Sequence, residues 1–305
     1  MSKVLVIGDV MLDKFSYGEV KRLNPEGPNP LLNIIKEDFK LGGAANVAAN
    51  ISSLNGNCDL LGTIGNDLNG ETFKNLLKEN NINFFNLNSN FKTITKQRFI
   101  ENTYNQQMLR VDYEEKINLG KNDIEKIINQ IKSNNYEIII ISDYNKGVFN
   151  EELFKQIQII SKDKNIKILI DSKPNHYSFI EDVFLLKPNF KEFSEIIGVN
   201  IDNTDENIEN YGLNLAKNKK SNLVITRGSN GASLIELNGK ITHLKTEARQ
   251  VYDVTGAGDT FISAIASGLL TGYSLENSII LGNKASGIVV GKLGTEKVTK
   301  KELFN

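Results

Sequence analysis

The chain has 305 residues, of which 40% are hydrophobic, and this composition suits one large globular core rather than a disordered chain. Its 36 Lys and Arg residues balance 37 Asp and Glu residues, so it lacks the excess positive charge with which proteins bind nucleic acid. The single cysteine, Cys58, excludes an internal disulfide, and no apolar run approaches the roughly 20 residues needed to cross a bilayer. We therefore expect a cytoplasmic protein without nucleic acid or membrane as partner, whose N-terminus enters an apolar run without a charged leader.

Short apolar runs alternate with longer helical patterns along the chain. Strands are predicted at 4–7, 59–64, 138–142 and 166–170, and helices at 44–54, 71–80 and 151–162. This alternation predicts an α/β fold, in which helices cover both faces of a mostly parallel sheet. The runs 4–7 and 138–141 lack a polar alternate, as is typical of central strands buried on both faces.

Two stretches break this rhythm. Residues 15–41 hold three of the five prolines, and residues 93–113 alternate in period two around a turn at 102–105. We interpret both as parts of a small β-sheet lid, which would cover a substrate pocket or pack against a partner's lid. An ordinary edge hairpin explains the pattern equally well. Residues 86–92 and 201–209 are interpreted as polar connectors, and no repeat or linker divides the chain, so we expect one domain, residues 1–305.

The run DVTGAGDT at 253–260 directly precedes an apolar helical stretch. Gly256 and Gly258 permit a tight turn whose N–H groups, together with the positive end of the following helix, could hold a phosphoryl group. Asp259 at the same helix start could take the proton of an attacking hydroxyl. A plain helix N-cap, supplied by Thr255 or Asp259, explains the pattern about as well.

Other glycines and carboxylates near the N-terminus suggest where a small polar ligand could bind. Gly43 in LGGAANVAANI would let the backbone approach a ligand closely, and Asn46 could bond to sugar hydroxyls. Asp9 and Asp13 follow the first strand, at the end where open α/β sheets bind ligands. Close packing by small residues and loop capping are the alternatives, and the pattern alone favours them.

Three further polar clusters follow predicted strands, and they lie at 143–146 (DYNK), 171–173 (DSK) and 187–192 (KPNFKE). Lys146, Lys173 and Lys187 could neutralise phosphates, whereas Asn189 and Glu192 could position Mg²⁺. Each cluster alone is explained more simply as solvated loop charge. Strand ends on one rim of a parallel sheet converge, however, so their shared position predicts a single cleft. The only two histidines, His176 and His243, do not cluster in the sequence. We therefore expect neither a His-ligated metal site nor a Ser-His-Asp triad.

Together these motifs resemble those of the ribokinase-like, or PfkB, family of carbohydrate kinases. GGAANVAANIS and DVTGAGDTF match the two signature regions of that family in order and separation, and the resemblance covers essentially the whole chain. It implies a three-layer α/β sandwich with a small β lid, and ATP and Mg²⁺ as cofactors. It also implies that Asp259 is the catalytic base and that Gly256, Ala257 and Gly258 form the anion hole.

Within this family the chain is similar to the heptose 7-phosphate kinases, which phosphorylate the C1 hydroxyl of the sugar during synthesis of lipopolysaccharide core precursors. The closer likeness lies in GDVMLDKFSYGEVKRLNPEGPNP, LGGAANVAANI, QQMLRVDYEE, SDYNKGV, RQVYDVTGAGDTF and NKASGIVVGKLGT. The resemblance implies that the sugar phosphate is bound by Asp9, Asp13, Gly43, Asn46, Arg110, Asp112, Asp143 and Lys146. It implies that ATP is bound by Lys187, Asn189, Glu192, Thr226, Arg227, Gly228, Gly231, Asn283 and Gly287, with Glu192 also at Mg²⁺.

The chain departs from the family pattern in two places. The usual Asp-Pro-Lys after the middle strand is replaced here by Asp171, Ser172 and Lys173, which keeps both charges but changes the stiffness of the turn. Close relatives often carry a second, nucleotidyl-transferring domain that this sequence lacks, so we expect a separate protein to transfer the adenylyl group. A kinase of another sugar and a non-catalytic sugar or nucleotide sensor remain alternatives. We expect a homodimer formed through the lid, with a monomer as the alternative.

Overall fold

The computed structural model describes residues 3–54, 56–246, 251–292, 294 and 296–304. In chain order the strands are β1 (Lys3–Gly8), β2 (Val10–Leu23), β3 (Pro30–Gly43), β4 (Asn57–Gly62), β5 (Asn83–Asn86), β6 (Thr95–Glu101), β7 (Gln106–Tyr113), β8 (Tyr136–Ser142), β9 (Lys167–Asp171), β10 (Leu185–Leu186), β11 (Asn222–Thr226), β12 (Ala232–Ile235) and β13 (Ile241–Leu244). The α-helices are α1 (Ala44–Ser53), α2 (Leu68–Glu79), α3 (Lys121–Ser133), α4 (Glu151–Lys164), α5 (Phe190–Ile197), α6 (Asp205–Lys219), α7 (Ala257–Leu270), α8 (Leu275–Val289) and α9 (Lys300–Phe304). No helix in these described ranges is long and apolar enough to cross a membrane.

The main sheet, as far as the structure describes it, has nine strands in the order β13-β12-β11-β10-β9-β8-β1-β4-β5. Its strands from β11 to β5 run parallel, and β12 and β13 add an antiparallel edge. Successive residues of β1 pack on opposite sides: Leu5 and Ile7 join the core beneath α3, α4 and α6, whereas Val4 and Val6 join the core beneath α1, α2 and α7. The predicted three-layer α/β architecture is confirmed.

Within the described ranges a second sheet has four strands in the order β3-β2-β6-β7, and we call it the lid sheet. β2 pairs antiparallel with β3 and parallel with β6, and β6 pairs antiparallel with β7. The two stretches predicted as lid segments therefore join in one sheet, which an ordinary edge hairpin would not do. β2 leaves β1 after Asp9, and β3 ends at Gly43, directly before α1. The lid sheet is thus connected at both points to the carboxyl edge of the main sheet.

Candidate active site

Asp259 lies buried in the first turn of α7, at the carboxyl edge of the main sheet. Its Oδ2 accepts a hydrogen bond of 2.8 Å from the side-chain amide of Asn46, and its Oδ1 accepts one of 2.8 Å from the hydroxyl of Tyr144. The helix N-cap is Gly256, with φ 79°, and no side chain caps the helix. Neither Thr255 nor Asp259 therefore acts as the cap. The backbone N–H of Ala257, the first residue of α7, donates to the Val254 carbonyl at 3.2 Å, so its place in an anion hole stays a prediction.

Burial raises the pKa of Asp259 to about 6, against the hydrogen bonds from Asn46 and Tyr144, which lower it. The nearby Asp171 also raises this pKa, whereas Lys187 lowers it. A carboxylate with such a pKa is ionised at neutral pH, yet accepts a proton more readily than a solvated aspartate. The environment of Asp259 therefore suits general base catalysis.

Lys187 adds a positive charge to the start of α7. Its ammonium is buried and forms an ion pair of 2.8 Å with Asp171. A Cβ atom on Gly258 would lie 3.3 Å from the Lys187 Nζ, so the ammonium lies against the first turn of the helix. The N–H groups, the helix dipole and this ammonium together can hold a phosphoryl group beside Asp259.

Asn46 is fixed by the second glycine motif. Gly43, the N-cap of α1, has φ 58°, and a Cβ there would come within 2.3 Å of the Asp9 carbonyl oxygen. This close approach requires glycine. One turn beyond Asn46, Asn50 donates to the Asn46 Oδ1 at 3.2 Å and accepts from the Thr260 hydroxyl at 3.2 Å. The chain of hydrogen bonds orients the Asn46 amide so that its NH₂ faces Asp259.

Asp9 and Asp143 lie inside the protein and stabilise the loop 143–148. Asp9 accepts the backbone N–H groups of Tyr144, Lys146 and Val148, at 2.8, 2.9 and 3.2 Å. Burial raises the pKa of Asp9 to about 6, against these hydrogen bonds, which lower it. Asp143 accepts from His176 Nδ1 at 2.6 Å, from a backbone N–H, and from a serine hydroxyl. The oxygens of both carboxylates are thus engaged by protein groups, and binding of the sugar by Asp9 and Asp143 stays a prediction.

The lid sheet presents a row of charged side chains to the site. The strand register aligns Asp13 with Lys96 and Lys96 with Asp112. The buried Asp13 accepts a hydrogen bond of 2.7 Å from Arg98. The Lys96 Nζ lies 5.6 Å from the centre of the Tyr144 ring, and burial lowers the pKa of Lys96. The same face therefore meets the loop that contacts Asp259.

Other predicted sugar-phosphate residues lie at the outer rim. Arg110 binds Asp112 in a bidentate pair, with distances of 2.9 and 3.0 Å, and its side chain is about half exposed. The register places Arg98 beside Arg110, on the same face of the sheet. Lys146 forms an ion pair of 2.7 Å with Glu114. These cations are accessible to an anion that can compete with their carboxylate partners.

Asn189 and Glu192 form a reciprocal cap at the start of α5. Asn189 Oδ1 accepts from the Glu192 N–H at 2.9 Å, and Glu192 Oε2 accepts from the Asn189 N–H at 3.0 Å. The second oxygen of Glu192 binds Lys173 at 2.6 Å. Both oxygens are thus engaged, and the described residues hold no group of three or more His, Cys, Asp or Glu arranged for a metal. An Mg²⁺ ion at Glu192 would therefore have to be carried by the phosphates of a nucleotide and would meet the carboxylate only through its water shell.

The remaining predicted nucleotide residues lie beyond Asn189. The N–H of Thr226 donates to the carbonyl of Pro188, which brings β11 beside the start of α5. Gly228 and Gly231 flank a tight turn with φ of 61° and 80°. Asn283 donates to the Lys245 carbonyl at 2.7 Å, and Gly287 lies on the same helix, α8.

The guanidinium of Arg227 is buried and donates to Asn203 Oδ1, to Ser233 and to Asp205, so it ties the 203–205 segment to β12. Contact of Arg227 with ATP stays a prediction. Four residues of the quoted sequence stretches lie outside the described residues, and these are Arg249, Gln250, Leu293 and Thr295.

Sequence reasoning assigned no role to Tyr144 and Asp171, which the structure brings near Asp259, or to Lys96, which it brings to the ring of Tyr144. Tyr144 lies within the DYNK cluster, and Asp171 follows a strand as the cluster DSK. Lys96 occurs on a predicted lid strand, and only the register with Asp13 places it over the site. Of these, Asp171 could have been found from its position at a strand end.

Comparisons with known proteins agree with this architecture. The model of the pfkB family carbohydrate kinases matches residues 1–302. The chain is 42% identical over 309 residues to the bifunctional protein HldE of Haemophilus influenzae strain PittEE, and 41% identical to that of Pasteurella multocida. The alignments cover all of this chain but only 63% of each of those relatives.

Two solved structures share the fold. Phosphofructokinase-2 from Escherichia coli, in complex with potassium, superposes with a TM-score of 0.83 at 18% identity, covering 100% of this chain and 97% of that one. The Arabidopsis thaliana ribokinase complexed with ribose and ATP superposes with a TM-score of 0.75 at 19% identity, covering 100% and 98%. At these identities the likeness establishes the fold alone.

Proposed function

Because the chain belongs to the pfkB family of carbohydrate kinases, its activity is the ATP-dependent phosphorylation of a sugar, and we propose D-glycero-D-manno-heptose 7-phosphate as the acceptor. The product would be the 1,7-bisphosphate, formed at the C1 hydroxyl. The proposal rests on the sequence resemblance to heptose 7-phosphate kinases and on the 42% identity with HldE. Because the chain spans 63% of that relative, the proposal concerns the kinase step alone.

The observation that supports the chemistry is the buried Asp259, ionised in the first turn of a helix that no side chain caps. In the proposed reaction, Asp259 accepts the proton of the C1 hydroxyl as that oxygen attacks the γ-phosphoryl group of ATP. The N–H of Gly258 and the Lys187 ammonium beside it would stabilise the charge on the phosphoryl group during transfer. Mg²⁺ bound to ATP would neutralise part of the phosphate charge. Asn189, Thr226 and the turn between Gly228 and Gly231 are proposed to hold the nucleotide.

The charged face of the lid sheet supports a phosphorylated acceptor. Arg110 and Lys146 are paired with carboxylates at the rim, and a phosphate dianion can replace those partners because it presents more charge and more acceptor oxygens. Asp13 and Asn46 would bind sugar hydroxyls nearer the base. The sugar would then lie between Asp259 and the rim, with its phosphate directed to the lid.

We also propose that two copies associate through their lid sheets. Exposed apolar side chains of the lid sheet include Ile35, Leu109 and Tyr113, with exposed fractions of 53, 57 and 52%. Burial of such side chains against a second copy would be favourable. Sedimentation of the purified protein would test this, since a mass near 34 kDa at all concentrations contradicts it.

The acceptor is tested by ADP release with a panel of sugars. Heptose 7-phosphate should give the highest kcat/KM, and the same heptose without its phosphate should be a much poorer acceptor. Fructose 6-phosphate and ribose test the other sugar kinase reactions. The Asp259→Asn variant serves as the chemical control, because it should bind ATP and yet lose most turnover. A higher kcat/KM for another sugar would overturn the proposed acceptor without affecting the proposed base.

A further inference from the structure

The side chain of Tyr144 reaches the base from the loop after β8. Its hydroxyl donates to Asp259 Oδ1 at 2.8 Å, opposite the Asn46 amide, which donates to Oδ2 at the same distance. We propose that Tyr144 is a positioning residue, whose hydroxyl holds the Asp259 carboxylate in the orientation that accepts the substrate proton. This inference rests on the proposed role of Asp259 as the base.

The backbone that carries Tyr144 is fixed on both sides. Asp9 accepts the N–H groups of Tyr144 and Lys146, and Asp143 accepts the N–H of Asn145 at 2.8 Å. Asn145 has φ 58°, a left-handed conformation that asparagine tolerates. Two buried carboxylates thus hold three successive backbone N–H groups, so the direction in which Tyr144 leaves the loop is set by the protein interior.

The ring of Tyr144 is held by two ammonium groups. The Nζ of Lys96, in the lid sheet, lies 5.6 Å from the ring centre, and the Nζ of Lys173, in the loop after β9, lies 5.5 Å from it. Cations at such distances are attracted to an aromatic face. Burial and the adjacent Asp259 raise the pKa of Tyr144 well above its usual range, so the hydroxyl remains a donor at neutral pH. The ring position and the protonation state both favour the hydrogen bond to Asp259.

Two donors on opposite oxygens have a defined chemical consequence. Each carboxylate oxygen has a second lone pair, so the substrate hydroxyl can be accepted while Tyr144 and Asn46 stay in place. Both donors also favour the charged form of Asp259 and so lower its pKa, as Lys187 does. Burial and the nearby Asp171 raise that pKa. Loss of the Tyr144 hydroxyl should therefore free one oxygen of Asp259 and raise its pKa.

The test compares Tyr144→Phe with Tyr177→Phe. Both substitutions remove one hydroxyl and keep the ring, but the buried Tyr177 hydroxyl has no hydrogen-bond partner among the residues that the structure describes. In Tyr144→Phe, kcat should fall about tenfold, the acidic limb of the kcat profile should move to higher pH, and the KM for ATP should change little. Tyr177→Phe should leave kcat and the limb unchanged. An unmoved limb in Tyr144→Phe, or an equal shift in Tyr177→Phe, overturns the inference.

A titration without substrate separates this inference from the proposed base. The Asp259 carboxyl can be followed by ¹³C NMR in the free protein, with Asp259→Asn used to assign its signal. Its pKa should rise in Tyr144→Phe and stay at the parent value in Tyr177→Phe. If Asp259→Asn retains turnover, the base assignment fails whatever the titration gives. If the pKa of Asp259 is the same in the parent, in Tyr144→Phe and in Tyr177→Phe, Tyr144 does not hold the carboxylate.

Discussion

The Lys187 ammonium lies against Gly258, where a Cβ atom would come within 3.3 Å of Nζ. Gly258 is the second residue of α7, so an alanine there fits the helical backbone but crowds the ammonium. We expect Gly258→Ala to keep its stability within about 1 kcal/mol of the parent. If Lys187 holds the phosphoryl group as proposed, displacement of its ammonium should lower kcat about 10 to 100-fold. Urea unfolding and steady-state kinetics measure the two effects.

Gly212→Ala is the matched control for this substitution. Gly212 lies inside α6, and its added Cβ would meet the Cδ1 atom of Ile235 at 3.2 Å, at the flexible end of that side chain. The contact distance is similar but lies away from the site, so kcat should stay at the parent value. Equal activity of Gly258→Ala and Gly212→Ala would remove Lys187 from phosphoryl stabilisation.

The rim of the lid sheet gives a prediction about substrate charge. Arg110→Ala removes a half-exposed guanidinium that binds only Asp112 among the interactions recorded in the described part of the chain. If Arg110 contacts the phosphate of the acceptor, KM for the sugar phosphate should rise about tenfold while KM for ATP stays the same. The rise should shrink as salt is added, because exposed charges are screened.

Arg22→Ala serves as the control on the lid sheet, since Arg22 is an exposed cation near the far end of β2. It should leave both KM values unchanged. An unchanged KM for the sugar phosphate in Arg110→Ala would mean that Arg110 does not bind the acceptor.

The sheet architecture was predictable because its pattern is local. The consecutive isoleucines of β8 pack on alternate sides, with Ile139 and Ile141 in one core and Ile138 and Ile140 in the other.

Residues 201–209 show the limit of such patterns, since they were expected to form a connector. In the structure Thr204 caps a helix that begins at Asp205, with its hydroxyl accepting the Asn207 N–H at 3.3 Å. The segment is mostly polar, so its composition did not indicate that a helix begins within it.

The site was predictable as a rim of strand ends but not as an arrangement of side chains. Asp9 and Asp171 both lie at strand ends, yet Asp9 turns inward to three backbone N–H groups whereas Asp171 pairs with Lys187 near the helix start. The path of the following loop decides this difference. The approach of Tyr144 to Asp259 joins residues 115 positions apart, and no local pattern encodes it.

The buried base predicts a stability that depends on pH. Because the pKa of Asp259 is raised to about 6, the folded state favours the protonated carboxyl. Its contribution to stability is thus fully present below the unfolded pKa of about 4 and is lost as the pH rises through about 6.

The Asp259→Asn variant has no carboxyl group at this position that could titrate. Between about pH 4 and about pH 7.5, its free energy of unfolding should therefore rise by about 2 to 3 kcal/mol relative to the parent. Urea unfolding at both pH values measures this change, and Asp163→Asn, which removes an exposed carboxylate of α4, is the control. If the difference in free energy of unfolding between Asp259→Asn and the parent stays constant across this range, burial does not raise the pKa of Asp259.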